Sequence, residues 1–233
     1  FGIHGLLFPG FSDERTRQRY RSPSSLNGRG AQKRSLIEET NQVAWLLGIN
    51  FTIQVVPGAG DTVLDVLAGQ SDAVARRGGE AYHAAWDRAL PEPTSLVVAA
   101  IEGDRTQQTW ENFGRALQSA LAAVEEGGSI AVCCELAERP GPAVQQFSAA
   151  ESRTSALRRI DADRPPDALP AAQLARALDR GKVYLLSRLD PDLVDDLDMI
   201  ALEAGDELAR LTRRQPSCTL LADAPRTVVS CSR

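Results

Sequence analysis

The sequence predicts an α/β fold, with a mostly parallel, Rossmann-like sheet flanked by helices and one β-hairpin. Two runs, SLVVAAI at 95–101 and SIAVCCEL at 129–136, are short and continuously apolar, which is typical of parallel strands buried on both faces. A helical pattern at about 106–126 separates them and completes a βαβ unit. A helix at 170–180 leading into KVYLLS at 182–187 indicates a second helix-strand step.

A helix, a hairpin and a second helix are expected before this unit. Apolar residues at helical spacing predict a helix at 35–47, which Gly48 ends. The turn PGAGD separates two β-rich runs, which predicts antiparallel strands near 49–56 and 62–68. Apolar residues at 71–89 predict the next helix, although a Gly-Gly pair interrupts them.

Glycines, prolines and the spacing of apolar residues predict the ends of the long helix and the elements after residue 140. The pair Gly127-Gly128 is expected to end the long helix before the strand at 129–136. Beyond the prolines at 140 and 142, we expect helices near 142–149, 151–158, 190–199 and 203–213, and a final strand pair at 217–223 and 227–230.

Composition and charge narrow the classes of function. The 233 residues are 43% hydrophobic and 24% charged, which is typical of a globular protein and excludes a disordered chain. The formal net charge of -5 disfavours a general nucleic-acid-binding surface. No apolar stretch is long enough to span a bilayer and no signal peptide is evident, so we expect a cytoplasmic protein without a membrane partner.

Cysteine and histidine spacing predicts no metal site. The four cysteines include no C-x-x-C pair, and the chain has only two histidines, so neither a zinc site nor a disulfide framework is indicated. Cys133 and Cys134 fall in a predicted buried strand and are assigned to the core. His83 is expected to be structural, and the run Arg15, Arg17, Arg19 and Arg21 either binds an anion or forms a solvated face.

Two glycine-containing segments suggest nucleotide chemistry only weakly. The segment TVLDVLAGQSDAVARR at 62–77 is similar to the first motif of Rossmann-like methyltransferases, but Leu67 stands where a close-approach glycine is needed. The turn PGAGD lacks the following helix and Lys-Ser/Thr of a phosphate-binding loop. A methyltransferase therefore remains a minor alternative.

Five segments in a fixed order carry a family resemblance. They are FGIHGLLFPGFSDERTRQRY, VVPGAGDTVLDVLAGQSDAVARRG, SLVVAA, QQTWENFGRALQSAL and VEEGGSIAVCCELAERPGPA. The chain resembles the C-terminal half of the nickel-dependent lactate racemase family. The resemblance implies two α/β domains around a cleft, where a lysine-tethered nickel-pincer nucleotide takes a hydride from a 2-hydroxy acid and returns it. This chain would supply one wall of that cleft.

The residues that the resemblance carries over are substituted here. Gly5 occupies the position of the tether lysine in the register set by Pro9-Gly10, and Arg21 occupies that of a metal-ligand histidine. Arginine stays protonated and does not ligate nickel. Glu111 and Gly114 stand where the family presents a glutamine and a lysine to substrate.

Three interpretations follow from this pattern of substitutions. The first is a divergent, lactate-racemase-like protein without the lysine-tethered cofactor, which binds a small hydroxy acid or a related anion in an interdomain cleft. The candidate ligand-binding residues are His4, Arg21, Gln108, Glu111 and Arg115, and no catalytic residue is assigned. The second is an active 2-hydroxy acid racemase or epimerase, an isomerase whose cofactor is held by residues outside this chain. The third comprises the methyltransferase and a purely structural domain.

The domain organisation is expected to begin with a connector. Residues 1–34 are interpreted as an apolar turn and a polar connector, and 35–233 as the lactate-racemase-like C-terminal α/β domain. The apolar start FGIHGLLFPGF is expected to be covered by neighbouring structure. We therefore expect an upstream domain of the same polypeptide as a partner.

Overall fold

The computed structural model describes residues 13, 15, 31–148 and 152–231. The chain divides into two compact units, Phe1–Trp86 and Asp87–Arg233. The predicted division at residue 34 stays a prediction, since it adjoins residues 16–30, which lie outside the described residues. None of the described helices combines the length and apolar character needed to cross a bilayer.

The described part of the first unit is a helix, a hairpin and a second helix. Helix α1 spans Ala31–Leu46, and strands β1 (Phe51–Pro57) and β2 (Val63–Gln70) pair antiparallel before helix α2 (Ser71–Trp86). The predicted hairpin is thereby confirmed. One face of the hairpin packs against α2 through a small buried cluster of Val56, Leu67 and Val74.

The second unit contains a five-stranded parallel sheet with helices, which confirms the predicted α/β fold class. The strand order is β7-β6-β5-β4-β8, and every neighbouring pair is parallel. The elements in chain order are β3 (Asp87–Leu90), β4 (Thr94–Ala100), α3 (Trp110–Ala123), β5 (Val124–Cys133), α4 (Pro142–Ser148), α5 (Arg153–Asp163), α6 (Ala168–Arg180), β6 (Lys182–Leu186), α7 (Pro191–Asp196), β7 (Ile200–Leu202), α8 (Gly205–Arg213), β8 (Cys218–Leu221) and β9 (Val228–Cys231).

Helices α3 and α6 cover one face of this sheet and form the main core with it. Phe113 and Leu117 of α3 and Leu174 of α6 are fully buried in that core. Helix α3 begins where the Thr109 side chain accepts a hydrogen bond from the Asn112 amide, an N-cap that satisfies a free backbone donor. A smaller apolar cluster lies on the other sheet face, where α8 contributes Leu208 and Leu211.

The predicted end of the long helix is wrong. Helix α3 ends at Ala123, and Gly127 and Gly128 fall within β5. The backbone at Gly181 lies very close to the backbone at Gly128. A Cβ placed on Gly181 would lie only 1.9 Å from the Gly128 carbonyl oxygen. The absence of a side chain at Gly181 therefore permits this close approach to Gly128.

The prediction that the last two strands pair with each other is also wrong. Strand β8 pairs with β4 in the main sheet, whereas β9 pairs with β3 in a separate two-stranded parallel sheet. The turn between β8 and β9 is hydrogen-bonded to the end of β4, where the Ala224 amide donates to the Ala100 carbonyl at 3.0 Å. The predicted helix at 71–89 is wrong at its end, since it stops at Trp86 and strand β3 follows. Strand β7 was not predicted, because a segment of three residues carries too little pattern.

Candidate ligand-binding cleft

Three loops meet at the carboxyl edge of the main sheet, where β4, β5 and β6 end. The parallel arrangement places these ends together, and ligands of open α/β sheets commonly bind at this edge. Backbone hydrogen bonds continue the strand pairing into the loops: Ile101 N donates to Cys133 O at 2.9 Å, and Arg188 N donates to Leu136 O at 3.0 Å. The loop backbones are thus held in a defined arrangement.

A cleft of about 390 Å³ lies among these loops and is large enough for a small molecule. It is open and carries charges of both signs. Its lining residues, all from the second unit, are Arg105, Gln108, Glu135, Ala137, Glu138 and Arg188.

The two arginines of the cleft differ in their pairing. Arg188 forms an ion pair with Glu135, which joins the loops after β6 and β5. Arg105 is exposed and forms no ion pair with any residue that the structure describes. An anion that enters the cleft can therefore contact the Arg105 guanidinium without displacing a described carboxylate. At Arg188 it would have to compete with Glu135.

The loop that carries Arg105 is shaped by the residue before it. Asp104 Oδ1 accepts hydrogen bonds from the Thr106 hydroxyl at 2.6 Å and from the Thr106 amide at 2.9 Å. Because these bonds favour the carboxylate, the hydroxyl bond most strongly, the pKa of Asp104 lies below its ordinary value. The Asp104–Thr106 turn thus orders the backbone on both sides of Arg105.

Gln108, a predicted ligand-binding residue, lies in the cleft wall but is only 7% exposed. Its Nε2 donates to the Ile101 carbonyl at 3.1 Å and to the Gly103 carbonyl at 3.2 Å. Its Oε1 accepts from the Glu135 amide at 2.8 Å. The Gln108 amide therefore ties the loop after β4 to the loop after β5.

Trp110 fixes the loop after β5 at a second point, Glu138. Its Nε1 donates to the Glu138 carbonyl at 2.9 Å, and its ring packs edge-on against Phe113 with centroids 5.3 Å apart. Since Trp110 is buried at the start of α3, the carbonyl of Glu138 is fixed relative to that helix. The sequence assigned Trp110 only to the helix.

Glu111 and Arg115, two further predicted site residues, do not line this cleft. They form an ion pair with each other at 2.6 Å on the outer side of α3, with 68% and 56% of their side chains exposed. Their role in binding a ligand stays a prediction. The remaining candidates, His4 and Arg21, and the tether position Gly5 lie outside the described residues.

The position to which the resemblance assigns a substrate-facing lysine lies inside the helix packing. Gly114 is buried, and a Cβ placed on it would lie 2.8 Å from Pro170 Cα of α6. A lysine has no room at this position, and it would point toward α6. Position 114 therefore serves the close approach of α3 to α6 in this chain.

Four charged residues of the cleft were missed by the sequence analysis: Arg105, Glu135, Glu138 and Arg188. Each closely follows the end of a strand, and that position was the available signal, because parallel strands bring these ends to one edge. The signal was weak, since exposed charges are common in loops of every kind.

A buried ion pair lies after β8 at the same sheet edge. Asp223 Oδ2 accepts from Arg226 Nη1 at 2.8 Å, and the Asp223 side chain is 7% exposed. Burial raises the pKa of Asp223, an effect that Arg226 opposes and nearby Glu102 reinforces. The Asp223 carbonyl also accepts the Thr227 hydroxyl, so this group stabilises the turn into β9.

Cys133 and Cys134 pack on opposite faces of the main sheet, as expected of consecutive residues leaving a strand. Both are half-buried: Cys134 packs against the main core and Cys133 packs against the smaller cluster, so each lies at the margin of a core. Burial raises the pKa of Cys134 to about 11. Its thiol is therefore protonated at neutral pH and is a poor nucleophile.

Side chains that commonly ligate metal ions are dispersed among the described residues. Within 31–148 and 152–231, no three histidine, cysteine, aspartate or glutamate side chains come together as a metal site. The positions that the resemblance relates to tether and ligand, Gly5 and Arg21, lie outside the described residues. No chemical step through such a cofactor is derived from this cleft.

Neither a protein-family model nor a curated protein matches the chain, whereas solved structures do. The lactate racemase apoprotein from Thermoanaerobacterium thermosaccharolyticum is similar, with a TM-score of 0.83 and 16% identity, over 98% of this chain and 58% of the other. A protein from Thermotoga maritima gives a TM-score of 0.69 and 10% identity, over 99% and 63%. This chain thus spans about three-fifths of each structure's length. At these identities the likeness concerns the fold, and the chain has a lactate-racemase-like α/β fold.

Proposed function

We propose that this chain is the C-terminal part of a divergent lactate-racemase-like protein that binds a small hydroxy acid or a related anion without a lysine-tethered nickel-pincer nucleotide. The observation that carries the proposal is the position of Arg105. It is a cation without a described ion-pair partner, in a cleft at the carboxyl edge of a lactate-racemase-like sheet. We place the ligand in this cleft of the second unit.

The chemistry of the cleft suits a hydroxy acid. A guanidinium binds a carboxylate through two parallel charged hydrogen bonds, which Arg105 would provide. A carboxylate accepts a hydrogen bond from a hydroxyl group, and Glu138 of the cleft lining would provide such a carboxylate. The charges of Arg188 and Glu135 neutralise each other, so this pair would line the cleft without binding the acid's carboxylate.

A second candidate function is racemisation or epimerisation of a 2-hydroxy acid. It is favoured by the fold likeness to a lactate racemase and by the fact that this chain spans 58% of that protein's length. A cofactor would then be held by residues outside this chain. The mark of this function is interconversion of L- and D-lactate.

Calorimetric titration of the purified chain with L-lactate, D-lactate, L-malate and D-gluconate tests the first proposal. We expect saturable binding of at least one acid. Arg105→Ala should weaken that binding at least about tenfold, because a charged hydrogen-bonded contact contributes about 1.5 to 3 kcal/mol.

Arg210→Ala is the matched control, since Arg210 is a similarly exposed arginine of α8 that pairs with Asp206 and is absent from the cleft lining. It should bind the acid like the unmodified chain. The proposal is wrong if none of the four acids binds, or if Arg105→Ala binds as tightly as Arg210→Ala. Racemisation of lactate by the protein expressed from its complete native gene would favour the second function.

A further inference from the structure

The hairpin of the first unit has an apolar face that is exposed to solvent. Phe51, Ile53 and Val55 alternate along β1 and therefore share this side, with 64%, 67% and 49% of their surface exposed. Val66 lies opposite Val55, and Leu64 shares its side on β2; their exposures are 58% and 56%. These five residues are called the outward face.

The opposite face of the same hairpin carries the two strand residues that pack against α2. Val56 and Leu67 pack there against Val74 and Ala81 of α2. Monomeric proteins rarely expose large contiguous apolar patches, so the outward face is expected to have a cover.

The outward face also indicates the chemistry of its cover. None of the residues on this side of the strands is charged: besides the five apolar residues, only Ala68 and Gln70 alternate into it. Contiguous apolar patches of this kind on protein surfaces mark protein contacts more often than contacts with charged ligands. The cover is therefore expected to be apolar.

The two solved structures suggest where that cover comes from. Each superimposes on nearly all of this chain and continues for about two-fifths of its own length beyond what the chain spans. We propose that the outward face docks against an apolar surface of a further domain, equivalent to that portion and located in the same polypeptide outside these 233 residues. This proposal is independent of the ligand proposed for the cleft.

Photo-crosslinking of the protein expressed from its complete native gene tests this docking. Ile53→p-benzoylphenylalanine places the probe in the outward face, and Arg76→p-benzoylphenylalanine is the control, since Arg76 is 72% exposed on α2. After irradiation and digestion, tandem mass spectrometry identifies the attached peptide. We expect the position-53 probe to attach to a peptide of the same polypeptide outside these 233 residues, and the control to attach to none.

Three other crosslinking results would overturn the proposal. They are attachment to a second copy of this chain, attachment to a different protein, and no attachment to protein from position 53. Each result would contradict a cover that the same polypeptide supplies from outside these 233 residues.

A second measurement does not depend on crosslinking efficiency. Ile53→Asp should change the Tm of the isolated 233-residue chain by less than about 2 °C, because Ile53 is exposed there. In the complete protein the same change should lower Tm by several degrees, since the aspartate would be buried in the contact. Equal shifts in both proteins would contradict the proposal.

Discussion

Gln108 is buried in the wall of the candidate cleft and connects two of its loops. Its amide makes three hydrogen bonds to backbone groups of Ile101, Gly103 and Glu135, and its surface is almost fully buried. It therefore acts as a positioning residue for the two loops that carry Arg105 and Glu138. A role as a direct ligand would require it to release at least one of these bonds.

Gln108→Ala should lower the free energy of unfolding by about 2 kcal/mol, because it leaves buried backbone groups without partners. The amide of Glu135 should also exchange with deuterium faster. Urea denaturation and amide-resolved hydrogen exchange measure the two effects. Gln107→Ala is the control; its side-chain contacts are 3.2 Å or longer, so a change within about 0.5 kcal/mol is expected. Unchanged exchange at Glu135 would contradict the positioning role.

Arg105 and Arg115 show why residue type alone did not identify the site. Both are arginines within or just before helix α3, and the sequence pattern gave no reason to distinguish them. Arg115 lies four residues after Glu111 on α3, and the two side chains neutralise each other. Arg105 lies in the preceding loop, in the cleft, and has no such described partner.

At the scale of elements, glycines in two helices have opposite roles. Gly114 allows α3 to approach α6, since a Cβ at this position would meet the Pro170 backbone at 2.8 Å. Gly79 lies within α2, and no atom would be within 4 Å of an added Cβ. The same substitution therefore has different consequences at the two positions.

Gly114→Ala should destabilise the second unit by about 2 kcal/mol through overpacking against a backbone that cannot move alone. Gly79→Ala should stabilise α2 by about 0.5 to 1 kcal/mol, because alanine loses less conformational freedom in a helix. Urea denaturation of the two variants beside the unmodified chain measures both. If Gly114→Ala had the same free energy of unfolding as the unmodified chain, the close packing of α3 on α6 would not require glycine at position 114.

At the scale of the whole molecule, the two units differ in the size of the core that their described residues form. The second unit has a continuous core of buried residues from the sheet, α3 and α6, whereas the described cluster of the hairpin and α2 contains Val56, Leu67 and Val74. Stability rises with the apolar area that a unit buries. The second unit is therefore expected to be the more stable one.

Residues 87–233 expressed alone should fold and unfold cooperatively in urea, since their core is internal to the unit. Residues 1–86 expressed alone should unfold at a lower urea concentration, because the described cluster of the hairpin and α2 is small. Circular dichroism across a urea series measures both fragments. A gradual, non-cooperative transition for residues 87–233 would contradict the expectation.

The strands β4, β5 and β6 and the hairpin were predictable from the sequence because their patterns are local. Continuous apolar runs bounded by helices indicate parallel strands, and alternation around a glycine-rich turn indicates a hairpin. The pairing of β8 with β4 and of β9 with β3 was not predictable in this way. Neighbours in a sheet can be far apart in the chain, and apolar patterning does not encode the choice of partner.

The sequence by itself thus determined the fold class, the order of most elements and the resemblance to lactate racemases, since these depend on periodicity and on the order of segments. Only the tertiary structure decided which charged residues share the cleft, that Gln108 is engaged by backbone groups and that Gly114 faces α6. The physical reason is that a site is a set of distances between residues remote in sequence. Those distances arise when the parallel sheet brings its strand ends to one edge.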